Sequence, residues 1–263
     1  MQTLPQTPNS VYLNDQVRSN LSQLRKRKIK LLSKGVTNTK TAKNELETYI
    51  LYLSPYKGNS KGINLCPKAD TCIKDCLFIQ GRGRFSSVQN SRIAKTEFYL
   101  GYRVEFLTQL VKELTKIYTK AQNTKTKICV RLNGTSDLDF LAIVKNRLNF
   151  DLLDYSTTLE SQNFGIIFYD YTKILGKVEK YQNTNYSLTY SFQGTNLDES
   201  LTALELGANL AVVFRKKLPL EFLNTMVVDG DKSDLQTINH KGKVLGLKAK
   251  GSAKKDKSGF VVD

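Results

Sequence analysis

From residue 46 onward, short apolar runs alternate with stretches of helical period. Thr48 to Ser54 (TYILYLS) reads as a strand stopped by Pro55, and a long helical pattern covers roughly Ser86 to Tyr118 with a break near Gly101. Next come a strand at Lys127 to Leu132, a helix at Leu138 to Leu148, a strand at Phe164 to Phe168 and a short helix at Lys173 to Lys180. Ser187 to Phe192 is a strand, Asp198 to Leu206 a helix closed by Gly207, and Leu210 to Phe214 a strand. A short segment at Pro219 to Leu223 and strands at Met226 to Val228 and Lys243 to Lys248 complete the series. Apolar strands alternating with helices predict a parallel sheet with both faces covered. Seven candidate strands suit an α/β fold of the full or partial (β/α) barrel type better than a five-stranded open sheet.

Ahead of this series, residues 14 to 34 predict a basic helix. Asn14 or Asp15 serves as its N-cap, Val17, Leu21, Leu24, Leu31 and Leu32 form a narrow apolar stripe, and Gly35 ends it. The expected organisation is therefore a basic helical extension over 1–45 and a barrel-like domain over 46–263. No run of eighteen apolar residues is present, which predicts no membrane span. Met1 to Ser10 is polar and lacks a hydrophobic signal region, so the expected location is the cytoplasm, or the host cytoplasm for a phage-encoded chain.

Charge narrows the class of partner. The net charge of +16 implies nucleic acid or a phosphate-bearing substrate. One basic concentration comprises Arg18, Arg25, Lys26, Arg27, Lys28, Lys30, Lys34, Lys40 and Lys43; the other comprises Lys241, Lys243, Lys248, Lys250, Lys254, Lys255 and Lys257. A solvated, lysine-rich surface is the plainer reading of the same residues.

Three cysteines in eleven residues, Cys66, Cys72 and Cys76, form the sharpest chemical signal, while Cys129 stands apart. A short polar loop with three thiols suits a metal or an iron-sulfur cluster, because one stretch of backbone delivers several thiolates to one point. The C-x5-C-x3-C spacing matches no common zinc pattern and leaves at least one ligand unsupplied. The alternatives are a [4Fe-4S] cluster with an open iron, a zinc ion, or a disulfide plus a loose thiol; a reducing cytoplasm disfavours the disulfide. His240 is the single histidine and the one candidate nitrogen ligand.

Candidate catalytic residues follow from the loops after the strands, where β/α folds gather their chemistry. Those loops hold Asn133, Ser136 and Asp137 after the second strand, Tyr169 and Asp170 after the third, Asp229, Asp231 and Asp234 after the sixth, and Lys248 at the end of the seventh. The carboxylates also fit a metal-dependent nuclease, and Tyr169 a strand-transfer nucleophile. Asp137 has a plainer reading as the N-cap of the helix starting at Leu138. Gly81, Arg82, Gly83 and Arg84, just before the long helix, form a candidate phosphate cradle, with Arg92 and Lys95 extending its basic surface.

Long motifs occur in a recognisable order. They are Asn64-Leu65-Cys66-Pro67 with Ala69, Cys72, Cys76 and Leu77; Gly81-Arg82-Gly83; Val88-Gln89-Asn90 with Arg92, Lys95 and Thr96; and Val130-Arg131-Leu132-Asn133-Gly134-Thr135-Ser136-Asp137. Phe168 to Lys173, Ala211 to Phe214, Val228 to Asp234 and Gly246 to Gly251 follow. Together they resemble a family of uncharacterised bacteriophage proteins over about residues 50 to 262, with residues 1 to 45 outside the resemblance. The three-cysteine loop after the first strand is also distantly similar to that of radical SAM enzymes, a resemblance that implies a [4Fe-4S] cluster and S-adenosylmethionine as cofactors. The expected function is a phage-type iron-sulfur enzyme, of a radical SAM-like kind, acting on a nucleotide or nucleic acid. The alternatives are a nucleic-acid-binding replication protein with structural zinc, and a metal-dependent nuclease or strand-transfer enzyme.

Overall fold

The computed structural model describes residues 13–35, 45–76, 81–161 and 163–263. Readings that fall on Met1 to Ser10, Lys40, Lys43 and Leu77 lie outside these residues.

Among the described residues ten strands make one sheet: β1 (Leu32–Lys34), β2 (Thr48–Leu51), β3 (Lys127–Arg131), β4 (Gly165–Thr172), β5 (Tyr186–Ser191), β6 (Asn209–Phe214), β7 (Glu221–Phe222), β8 (Thr225–Asp229), β9 (Val244–Lys248) and β10 (Val261–Val262). Their order is β1-β2-β3-β4-β5-β6-β9-β8-β7, with β10 pairing β6. Strands β2 to β6, β9 and β8 run parallel, whereas β1 and β7 are antiparallel additions at the two edges.

Of the full or partial barrel expected, the full form is excluded, because the sheet does not close. Closure needs the first and last parallel strands to pair, but β2 takes the antiparallel β1 as its outer neighbour. At the far side β9 comes before β8, and the hairpin to β7 ends the row. The sequential order from β2 to β6 is the part of barrel topology that survives.

The helices are α1 (Asp15–Arg25), α2 (Ser86–Gly101), α3 (Arg103–Thr124), α4 (Phe140–Leu148), α5 (Leu175–Tyr181), α6 (Leu197–Glu205) and α7 (Gln236–Asn239). The predicted break near Gly101 falls at Tyr102, whose backbone (φ −136°, ψ 58°) leaves the helical region. The first helix is much shorter than residues 14 to 34. It stops at Arg25 where Arg27 turns left-handed (φ 56°), and the chain then enters β1. Lys95 Nζ donates to Leu31 O at 2.7 Å, while both Glu113 carboxylate oxygens accept from the amides of Leu31 and Leu32 at 2.9 Å. The segment around residue 31 is thereby tied to α2 and α3.

Alternation along the strands sorts side chains onto two faces. Ile128, Val130, Ile166, Phe168, Leu188, Tyr190, Leu210 and Val212 join the main core with residues of α2 to α6. The opposite face carries Cys129, Ile167 and Tyr169, which pack with Leu235 and Ile238 from around α7. Ser187 Oγ and Asn209 Nδ2 both donate to Thr237 O, fixing α7 over the beginnings of β5 and β6. Farther along the strands, this second face bears Arg131, Tyr171 and Thr189 by the same alternation and register.

Candidate functional site

The cysteine loop leaves β2 and lies across the C-terminal ends of the parallel strands. Asp137 N donates to Leu65 O at 2.9 Å. Gln193 Nε2, just beyond β5, donates to Lys68 O at 3.1 Å, and Thr71 Oγ1 donates to Gln193 O at 2.6 Å. Thr195 Oγ1 donates to Asp70 Oδ2 at 3.0 Å, and Ser252 Oγ reaches Asp75 Oδ1. Loop ends from β3, β5 and β9 therefore hold the cysteine segment in place. On its outer side α2 provides the anchors. Thr96 Oγ1 accepts from Ser54 N at 2.8 Å, and Glu97 accepts from the amide and hydroxyl of Ser60 at 2.6 Å.

Cys66, Cys72 and Cys76 are half-buried and take part in no disulfide. Cys72, Cys76 and the Lys173 ammonium all bear on the charge of Cys66. Burial pushes the Cys66 thiol up to about 12, against the pull of the Lys173 ammonium. Burial works to lower Lys173, but the facing Cys72, Cys66, Asp137 and Cys76 outweigh it, and the net shift is upward. A cation at this point offsets the negative charge that several thiolates bring together. Arg92 stands over the Tyr52 ring at 4.7 Å and also feels Cys76.

Among the described residues no group of three or more His, Cys, Asp or Glu side chains is arranged to hold a metal ion. The donor chemistry fits a thiophilic metal or an iron-sulfur cluster, and the positive charge of Lys173 fits its ligands. The geometry would require the loop to close around the group on binding, as is usual for sites formed by ligation itself.

The predicted catalytic residues divide into two sets. Asn133, Ser136, Asp137 and Asp170 come together, but largely to satisfy one another, while Tyr169 lies on the opposite face of the sheet. Asp170 is fully buried within β4 and not in the loop after it; it accepts from Asn133 N and Nδ2 at 2.8 and 3.1 Å and from Tyr186 OH at 2.7 Å. Burial pushes its carboxyl up, opposed by Lys177, Arg131 and these donors. Asn133 Oδ1 in turn accepts from Ser136 Oγ and Leu138 N. Asp137 accepts from Thr172 Oγ1, Lys173 N and Lys177 Nζ at 2.8 to 3.1 Å. It does not cap α4; Asp139 does, accepting from Ala142 N. Tyr169 lies inside β4 and donates to Asp234 Oδ2 at 2.8 Å, and burial raises its phenol well above the ordinary value. That environment holds the phenol protonated, which opposes its use as a nucleophile.

The second set forms a turn between β8 and β9. Asp231 N donates to Asp229 Oδ1, while the Asp231 carboxylate accepts from Lys248 N and pairs with Lys250. Gly81, Arg82, Gly83 and Arg84 form a single 3-10 turn before α2, with both arginines exposed. Lys95, expected on a basic surface, is instead buried, because its ammonium turns inward to Leu31 O. His240 pairs with Gln236 at 2.8 Å, and its carbonyl accepts from Asn209 at the start of β6. This is the end of the sheet away from the cysteines, so His240 is no ligand there.

Sequence reasoning placed Tyr171, Lys173 and Gln193 in the rim loops without a role at the site, and gave none to Arg131 or Thr189. Arg131 lies 4.6 Å over the Tyr171 ring, with Asp234 Oδ2 3.6 Å and Asp170 Oδ1 3.8 Å from its nitrogens. Their signal was present in the alternating pattern of β3, β4 and β5, but it becomes visible only once strand register is known. Two clefts, of about 560 and 230 Å³, open at the N-terminal ends of β4, β5 and β6, around Thr157 and Asn185. They lie away from the thiols and Lys173, so the reactive side chains, not cleft size, locate the candidate site.

No helix among the described residues is long and apolar enough to cross a membrane. No curated protein and no solved structure matches the chain. A family model described as Gene product 88 matches residues 26–263, in keeping with the resemblance to phage proteins. The match begins inside the supposed extension, where β1 pairs with β2. Running over most of the sequence, it establishes that the chain belongs to the gene product 88 family.

Proposed function

We propose that the chain is an iron-sulfur enzyme acting on a nucleotide or nucleic acid, with Cys66, Cys72 and Cys76 as the ligands. The observation that carries this reading is three cysteines outside any disulfide in one loop at the C-terminal rim of a parallel sheet, with the Lys173 ammonium bearing on the charge of Cys66. Rims of this kind are where β/α enzymes bind and transform ligands. When bound, a three-thiolate cluster supplies electron transfer and one iron open to a small ligand, for which S-adenosylmethionine is the candidate. Lys173 offsets ligand charge, Arg92 and Tyr52 wall the loop, and Asp137 holds the backbone of Lys173 in place.

The substrate class follows from charge. Arg18, Arg25, Lys26, Arg27, Lys28, Lys30 and Lys34 are exposed on or near α1, and Lys248, Lys250, Lys254, Lys255 and Lys257 are exposed after β9. Such surfaces attract phosphate. They also favour the second reading, a nucleic-acid-binding protein with structural zinc.

Anaerobic purification or reconstitution with iron and sulfide, followed by absorption spectroscopy and metal analysis, tests the proposal. The expected result is a brown protein with broad absorption near ~400 nm, lost in Cys66→Ser, Cys72→Ser and Cys76→Ser variants. A colourless protein holding one equivalent of zinc points to the second reading and rejects the first.

A further inference from the structure

The larger of the two clefts, about 560 Å³, opens beside the starts of β4 and β5, at the opposite end of the sheet from the cysteine loop. Its volume falls within the range of about 300–1,000 Å³ usual for small-molecule sites. The chain carries a net charge of +16, yet among the described residues no Lys, Arg or His lines this cleft. Asp154 is the charged side chain in its wall. A phosphate-bearing ligand therefore finds no cation to pair with here.

The polar part of the wall is made of short side chains with donors still to give. Ser156 Oγ accepts from Asn185 Nδ2 at 3.3 Å, Thr158 Oγ1 from Ser161 N at 3.2 Å, and Ser161 Oγ from Asn163 N at 3.1 Å. Among the described residues none of these three hydroxyls donates a hydrogen bond in return. Thr157, buried in the same wall, has a hydroxyl with no partner among them. The Asp154 carboxylate and Asn185 Oδ1 add acceptors. Tyr118 and Phe164 form the apolar part, their ring centroids 6.0 Å apart and tilted by 54°. Stacking of Tyr118 on Tyr155 at 4.4 Å sets the ring in place before any ligand arrives.

We propose that this cleft binds a neutral sugar. A sugar ring carries hydroxyls that both donate and accept, and C–H faces that pack on aromatic rings, which is the combination the wall provides. An apolar ligand would strand the wall hydroxyls away from water. An anion would face Asp154 with nothing to offset it. The site goes beyond the cluster reading and does not depend on it, because none of its residues belongs to the cysteine loop or to the rim around it.

Isothermal titration and saturation-transfer NMR on the full chain test the proposal, with glucose, galactose, mannose and N-acetylglucosamine as probes and spermidine as a cationic comparator. At least one sugar is expected to bind, with an affinity that stays constant across a salt series. Asp154 and Asn185 are exposed, so their variants should fold as the parent does. Asp154→Asn should weaken sugar binding roughly tenfold and Asn185→Ala about fivefold. Tyr118→Phe should retain the affinity within about twofold, whereas Tyr118→Leu loses about tenfold. Binding of spermidine but of no sugar overturns the proposal in favour of a cation at Asp154. Absence of sugar binding at millimolar concentration overturns it too, as does parent-like sugar affinity in both the Asp154→Asn and Asn185→Ala proteins.

Discussion

Lys177 Nζ lies 2.9 Å from Asp137 Oδ1, and both side chains are less than a tenth exposed. The pair joins the turn after β3 to the first turn of α5, directly beneath the cysteine loop. Lys177→Met leaves a buried carboxylate short of its cation and should cost about 3 kcal/mol. Adding Asp137→Asn should recover part of that loss, because the charge that needed pairing is gone. Urea unfolding of the two variants checks this, and a Lys177→Met protein as stable as the parent rejects it.

Gly134 is required by space, not by backbone conformation. A Cβ there would sit 2.5 Å from Tyr52 Cδ1 and 2.7 Å from Ile50 Cγ2. Gly134→Ala should therefore destabilise by roughly 1–3 kcal/mol through overpacking. An unchanged melting temperature would show that the ring moves aside freely.

Lys95 makes stability depend on alkaline pH. Burial lowers it from 10.5 to about 8, with Glu113 opposing and Arg92 reinforcing the shift. Below pH 8 both folded and unfolded chains carry the proton, and the burial penalty is fully present. Between the two values the unfolded chain holds more protons, so stability rises with pH. The gain of the parent over Lys95→Met should reach roughly 3 kcal/mol by the upper end of that window. Urea midpoints at a series of pH values from neutral to alkaline measure it, and parallel curves for the two proteins reject it.

The lysines after β9 should act through phosphate charge. Replacing Lys254, Lys255 and Lys257 together by Glu is expected to weaken binding to single-stranded DNA. The slope of log affinity against log salt should flatten by about one for each phosphate that is no longer neutralised. Fluorescence anisotropy across a salt series gives both quantities. Binding that ignores salt in the parent counts against a phosphate role.

Much of the fold was legible because its strands are apolar and short, and because Gly101 and Gly207 mark real helix ends. The end of β4 was not, since Tyr169 to Thr172 look like a polar loop until Asp170 is seen to be held by Asn133 and Tyr186. Barrel closure was equally hidden. Nothing in local periodicity says that β9 precedes β8 in the row or that β1 runs antiparallel. Within the site, the cysteine loop and the polar turn at Asn133 to Asp137 stood out by composition. The inward turn of Lys95 did not, because its acceptor lies 64 residues away at Leu31. Arg131, Tyr171 and Thr189 stayed ordinary strand members for the same reason: register, not residue type, brings them to one face.

The cysteine loop meets Gln193 across 125 positions and Ser252 across 177. Close by, Gly259 packs so tightly on Gly194 that a Cβ at Gly194 would come within 2.5 Å of its carbonyl oxygen, and β10 then pairs with β6. Pairings so distant along the chain bear the full entropy of loop closure before they give anything back. The reactive rim therefore has no autonomy as a local motif. It comes into being only when the two halves of the polypeptide have met, and a fragment ending before residue 251 would keep the Gln193 contact while losing the Ser252 anchor of the cysteine loop and the Gly259 packing on Gly194.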